Sequence, residues 1–262
     1  MQIHSILAAV SLVLQMNGTD VVGNASGFFF QIDSDKYFAT NRHVVDPPPQ
    51  SLKPGEKPKP RPETLRLRLH TNPQNLQQND WLDLPLYDKA SRTKRWKVHP
   101  CVDADLALVP LVGTDLSRFQ ITWLSPAEYL PSNLALHPGE DVFIIGYPEG
   151  LHDHIHNLPI LRNALIASAY GAPFQGKPYF LTDARLHPGT SGSPVFTKPK
   201  NTWVDTKGQT LLTVGTSYFL VGVHAGTVIW PPNNQGPDPL GLGVAWYARL
   251  LTEIAAQPKC QQ

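Results

Sequence analysis

Twenty-six prolines spread along 262 residues disfavour long helices and suit short strands joined by many turns, because each one removes a main-chain donor and fixes its own φ. Between them lie short apolar runs. Leu65, Leu67 and Leu69 alternate with Arg66 and Arg68, and Leu82, Leu84 and Leu86 repeat the pattern. An alternation of period two at short spacing, broken by turn residues, is the pattern of antiparallel sheets.

Other segments extend this reading. Gly27–Thr40 (GFFFQIDSDKYFAT) predicts two strands around a turn, and Trp96–Val98 and Leu106–Val109 predict two more. The pattern weakens from about Gly113 to Leu136, which reads as a connection between halves. Strands resume at Asp141–Ile145, Ile160–Ala169, Tyr179–Thr182, Ser193–Thr197, Leu211–Thr213 and Phe219–His224. Val244–Ala255 lacks Gly and Pro and spaces Tyr247, Leu251 and Ile254 helically, so a C-terminal helix is expected there. Asp46–Pro62, with seven prolines, three lysines and one arginine, reads as an exposed loop open to an acidic or proline-recognising partner.

Charge is balanced, with 22 Lys+Arg against 21 Asp+Glu. No net field draws the chain to nucleic acid or acidic membranes, so neither is expected as a partner. The two cysteines, Cys101 and Cys260, make no disulfide framework, which points to a reducing, cytoplasmic setting. A secreted or periplasmic location is the alternative. The apolar run Ile6–Leu14 has no preceding Lys or Arg and no clear cleavage site, so it reads as a buried first element rather than an export signal.

Three stretches carry chemistry. His43 follows an apolar strand in Thr40–Val45 (TNRHVV), Asp105 opens the strand Leu106–Val109, and Ser191 lies between Gly189-Thr190 and Gly192. A serine hydroxyl needs a base, and imidazole titrates in the right range. The imidazole needs a carboxylate to fix its tautomer. Gly189 lets the backbone take a conformation closed to larger residues, and the Gly189 and Ser191 amides then form an oxyanion hole. Asp103 competes with Asp105, and Ser193 with Ser191, but Pro194 leaves Ser193 no following N–H.

In order and spacing, SGFFF (Ser26–Phe30), TNRHVV, DADLALV (Asp103–Val109), IIGYPEG (Ile144–Gly150), PGTSGSPVF (Pro188–Phe196) and LVGVHAG (Leu220–Gly226) resemble the trypsin-like serine peptidases, particularly their HtrA-type and glutamyl endopeptidase branch. The resemblance runs from about Gly23 to Glu253. It implies an all-β chain of two antiparallel six-stranded β-barrels with a C-terminal α-helix. The expected layout is one peptidase domain over 1–262, with barrels at 1–115 and 136–243 and the helix at 244–256. It implies peptide-bond hydrolysis by a His43–Asp105–Ser191 triad acting on protein or peptide substrates, with no metal or organic cofactor and with room for a regulatory partner protein. The competing reading is a protease-like binding or regulatory module.

Two departures matter. Where animal digestive members carry an Asp that pairs with a freshly cut N-terminus, this chain has Thr190, so no such activation switch is expected. His224 falls on the pocket wall, with Ala225 and Gly226 beside it, where relatives bind Glu or Gln before the cut. Leu186 stands where acid-selective relatives often have a hydroxyl, and Arg185 is the nearby source of positive charge. His152, His154 and His156 alternate and invite a metal reading, against the plainer one of a solvated loop.

Overall fold

The computed structural model describes residues 5–49, 58–228, 240–257 and 259–260. A single helical turn, α1 (Ser5–Ala8), leads into β1 (Val10–Asn17), β2 (Asp20–Ile32), β3 (Asp35–Thr40) and a second turn, α2 (Arg42–Val45). β4 (Thr64–His70), β5 (Asn79–Pro85) and β6 (Ala107–Pro110) complete an antiparallel sheet of order β5-β4-β1-β2-β3-β6. Its two edges are bridged by residues 94–97. Arg95 donates its N–H to the Leu86 carbonyl at 2.9 Å, and Lys97 exchanges main-chain bonds with Leu108 at 2.8 and 3.0 Å.

The second half holds β7 (Asp141–Gly146), β8 (Ile160–Ile166), β9 (Tyr179–Asp183) and β10 (Pro194–Thr197). After the hairpin β11 (Lys200–Val204) and β12 (Thr210–Ser217) come β13 (Leu220–Thr227), β14 (Leu242–Tyr247) and the helix α3 (Arg249–Ala256). Strands β10-β13-β14-β9-β8-β7 close into a six-stranded barrel.

Three apolar cores explain the sequence pattern. Phe29 and Phe38 fill the first half with Leu65, Leu67 and Leu84. Val142, Ile144, Phe180 and Val195 fill the second. Phe28, Phe30, Leu106, Leu108, Tyr147, Phe196 and Val223 form a third core where the halves meet. Strands at this junction are dry on both faces, so they read as continuous apolar runs rather than alternating ones. Burying each Phe of the Phe28–Phe30 run stabilises the fold by roughly 1.5–3 kcal/mol. The expected first element holds: β1 pairs with both β2 and β4 inside the sheet.

Several expectations are corrected. Val244–Tyr247 belongs to β14, and only Arg249–Ala256 is helical. The helical spacing of Tyr247, Leu251 and Ile254 hid a run of Val, Trp and Tyr that pairs with β9 and β13. Leu211–Thr213 lies outside the barrel, in a hairpin whose partner Lys200–Val204 carried no strand signal. Within Trp96–Val98 only Lys97 pairs, in a single bridge to Leu108, rather than a full strand.

The cysteines are also corrected: Cys101 and Cys260 are bonded across 159 residues of sequence, with Cα atoms 5.2 Å apart. Count and sequence distance argued against pairing, but α3 returns the chain end to the 97–101 segment. There Lys97 Nζ donates to the Ala255 carbonyl at 3.2 Å, and Gln257 Nε2 to the Val98 carbonyl at 3.1 Å. The inference of a reducing compartment loses its basis. Among the described residues no helix is long and apolar enough to cross a membrane.

Candidate active site

β3 ends at Thr40, and the chain turns at once into α2, which carries His43. A one-turn helix leaves its first N–H groups unsatisfied. Asp105 answers this need: its Oδ1 accepts the His43 main-chain N–H at 2.9 Å, and its Oδ2 meets His43 Nδ1 at 2.6 Å. Asn41, the residue capping the turn, donates Nδ2 to the Asp105 carbonyl at 2.7 Å. One carboxylate thus fixes both the backbone and the ring of His43. With Nδ1 donating to it, Nε2 is the ring's acceptor. Asp103 takes no part; it is exposed and pairs with Arg42 at 2.8 Å.

The loop Pro188–Ser193 is wound so that some of its amides are engaged and others are not. Thr190 N–H donates to the His187 carbonyl at 3.3 Å, Gly192 N–H to His224 at 2.9 Å, and Ser193 N–H to Thr190 at 3.0 Å. The amides of Gly189 and Ser191 meet no acceptor among the described residues. Gly189 has φ +92°, and a Cβ there would strike the Tyr147 carbonyl, so glycine is required. Two main-chain donors beside the Ser191 hydroxyl are thus left unengaged among the described residues.

The Ser191 hydroxyl is half-buried and donates to the Ala225 carbonyl at 3.4 Å. It makes no hydrogen bond to His43 in this structure. The loop nevertheless lies against the strand that leads to His43, since a Cβ at Gly192 would come within 2.5 Å of Thr40 Oγ1. Ser193 is sealed inside, with no exposed surface.

Ser26 was not foreseen as a site residue. Its N–H donates to the Ser191 carbonyl at 2.8 Å and its hydroxyl to the Gly189 carbonyl at 2.8 Å, while the hydroxyl oxygen accepts the Tyr147 N–H at 2.9 Å. It stitches the serine loop to the first sheet. Its sequence signal is faint: one small polar residue ahead of three phenylalanines.

Behind the loop stands His224, whose N–H donates to the Ser193 carbonyl at 2.8 Å. Its ring is 1% exposed and its Nδ1 has no hydrogen-bond partner. Burial, assisted by the charge of His43, pushes its pKa down to about 3. Ala225 and Gly226 are half-buried beside it. Leu186 packs into the core of the second barrel, and Arg185 is exposed. Thr190 holds its loop with a neutral bond, Oγ1 to the His187 carbonyl at 2.7 Å.

On the other side of His43, a depression of about 820 Å³ is lined by Arg42, Pro47–Pro49, Arg61, Lys94 and Trp96. Asp46 there accepts from Arg61 at 2.7 Å and from Lys94 at 2.8 Å. Much of the proline-rich loop, residues 50–57, lies outside the described residues. Of the three alternating histidines, His152 and His154 bring their rings together edge to face, with centroids 4.2 Å apart. His152 Nδ1 bonds the Gly150 carbonyl at 2.7 Å and His156 Nδ1 bonds Asp153 at 2.7 Å. Among the described residues no three His, Cys, Asp or Glu side chains could hold a metal together.

Comparison with known proteins agrees with this architecture. A family model described as a trypsin-like peptidase domain matches residues 25–204. No curated protein matches the chain. Among solved structures, a serine endoprotease from Yersinia pestis superposes with a TM-score of 0.53 at 17% identity, covering 96% of this chain and 62% of that one. An inactive serine-to-alanine form of a Mycobacterium tuberculosis protein gives 0.46 at 17% identity, over 98% of this chain and 91% of that one. A serine-to-alanine form of an HtrA-type protease, AlgW, with a decapeptide, gives 0.48 at 14% identity, over 95% of this chain and 63% of that one. The chain therefore spans less than two thirds of the first of these proteins.

Proposed function

The chain belongs to the trypsin-like peptidase family, and from that premise we propose that it is a serine endopeptidase working through an acyl-enzyme. The observation that carries the proposal is the pair of hydrogen bonds, 2.9 and 2.6 Å, by which Asp105 fixes both backbone and ring of His43. Ser191 Oγ attacks the scissile carbonyl carbon while its proton passes to His43 Nε2, and Asp105 stabilises the resulting cation. The Gly189 and Ser191 amides hold the oxyanion. Collapse breaks the C–N bond, and the leaving amine takes the proton from His43. Water, deprotonated by His43, then frees the acid and restores Ser191. To begin, the hydroxyl must turn from the Ala225 carbonyl toward His43; catalytic hydrogen bonds often form only once substrate is bound.

That same Ser191–Ala225 bond favours a second reading, a protease-like binding or regulatory module that does not turn over. A serine-directed fluorophosphonate separates the two. Stoichiometric labelling of Ser191, abolished in Ser191→Ala, supports the peptidase; no labelling of the folded protein supports the module.

The buried His224 ring supports a preference for Glu or Gln before the cut, since imidazole donates to a carboxylate or carboxamide oxygen. The neutral hold of Thr190 on its loop supports a site that forms without N-terminal cleavage. The Cys101–Cys260 bond supports work in an oxidising compartment, secreted or periplasmic.

A further inference from the structure

Between Lys97 and Leu108 the chain runs off the edge of the first sheet and returns. Main-chain bonds between those two residues, 2.8 and 3.0 Å, close it into a loop, with Asp105 on the returning limb. His99 organises the inside of this loop, and its side chain is 4% exposed. Its Nδ1 accepts the main-chain N–H of Cys101 at 3.1 Å and of Val102 at 3.0 Å. A ring nitrogen that accepts carries no proton, so the proton of the imidazole sits on Nε2. Nε2 donates it to Glu253 Oε2 of α3 at 3.1 Å. The next link is local: the Val102 carbonyl accepts at 2.8 Å from the N–H of Ala104, the buried neighbour of Asp105. Other ties to the chain end hold residues 97, 98 and 101. The His99 ring carries the restraint on to Val102, three residues before Asp105.

A second carboxylate–imidazole pair thus stands behind the first. Glu253 fixes the tautomer of His99 as Asp105 fixes that of His43. The two rings differ in what the other nitrogen does, since that of His99 is spent on two amides of its own loop. We propose that His99 is a positioning residue, whose ring, locked by Glu253, sets the turn that aims the Asp105 carboxylate at His43. This role rests on the peptidase reading and adds to it a tie between the C-terminal helix and the base. Asp105 meets His43 at 2.9 and 2.6 Å. A displacement of about 1 Å takes both contacts out of hydrogen-bond range, and misplacements of about that size can cost about 10²-fold in rate. Complete loss of the carboxylate's function, roughly 10⁴-fold, sets the ceiling.

The test follows fluorophosphonate labelling of Ser191 in a double-mutant cycle with Asp105→Asn. With Asp105 in place, His99→Leu should lower the maximal labelling rate about 10²-fold and leave the half-saturating reagent concentration within about 3-fold, because a misaimed base loses rate rather than binding. His99→Asn, whose carboxamide oxygen can stand in for Nδ1 as acceptor, should recover at least about 10-fold of that loss. Glu253→Leu, at a half-exposed position on α3, should lower the rate about 10-fold, and it carries the same comparison if His99→Leu does not fold. With Asp105→Asn already present, each of these substitutions should change the rate by less than about 3-fold, because a residue acting through Asp105 has nothing left to position. Equal losses in both backgrounds would mean that His99 serves the fold alone and would overturn the inference. Rates within about 3-fold of wild type in both His99→Leu and Glu253→Leu overturn it too, as does a His99→Asn variant as slow as His99→Leu. Each of these results leaves the peptidase reading standing. Wild-type protein that does not label overturns both readings.

Discussion

Ser26, in the second strand of the first sheet, donates its main-chain N–H to the carbonyl of Ser191 at 2.8 Å. The bond joins the two halves of the molecule at Ser191 itself. The Ser26 hydroxyl adds two more links, to Gly189 and Tyr147.

Ser26→Ala keeps the main-chain bond and removes both hydroxyl links. Buried partners left unpaired cost about 1–3 kcal/mol, and the loop that presents Gly189 loosens. The expected outcome is a lower midpoint in urea unfolding together with slower fluorophosphonate labelling. Unchanged labelling with lowered stability would mean that Ser26 serves the fold alone.

Asp105→Asn keeps the size of the side chain but replaces the acceptor that both His43 hydrogen bonds use. Turnover should fall by roughly 10⁴-fold, since the imidazole then adopts the wrong tautomer. Steady-state rates on a cleavable peptide check this. Asp103→Asn, which alters only a surface pair with Arg42, should stay within about 3-fold of wild type because exposed pairs contribute little.

Gly189→Ala forces a side chain onto a residue at φ +92° and against the Tyr147 carbonyl. Its amide then turns away from the place proposed for the oxyanion. Loss of one such donor should reduce kcat by about 10²–10³ while KM changes little.

His224 gives the protein a pH signature. Its pKa is about 3 when folded and about 6.5 when unfolded. Between those values the unfolded chain binds the extra proton, so stability rises with pH across the window. His224 therefore contributes no penalty above about pH 6.5, and its buried neutral ring costs progressively more stability as the pH falls toward 3. Unfolding midpoints from pH 7 to 4 should decline less steeply in His224→Leu than in wild type.

Replacing both Cys101 and Cys260 with serine should cost about 2–4 kcal/mol, since the bond closes a long loop. Thermal melts check the size of the effect. A thiol assay on denatured protein checks the bond: no free thiol before reduction, and both cysteines titrating after it.

Much of this molecule is legible in the chain because its chemistry is local. His43, Asp105 and Ser191 each sit in a short motif whose neighbours explain them, and β4 and β5 announce themselves by alternating leucines. What escaped depends on contacts far apart in sequence. β14 reads as helix because its strand character is set by β9 and β13, which flank it only after folding. Of the hairpin β11–β12, only β12 shows a strand signal, because β11 is largely polar with Trp203 its one buried side chain. The role of Ser26 exists only across strands, and the residue does not stand out from its neighbours. The cysteine pair is invisible for the same reason, since nothing near position 101 or 260 says that α3 brings them together.

That covalent tie also changes what a broken chain looks like. A single scission anywhere between positions 101 and 260 leaves two pieces still fastened to each other. Nicked molecules would differ from intact ones only by the one water taken up and would run alike until a reductant parts them. Preparations handled without thiols would therefore hide any self-cleavage within that span.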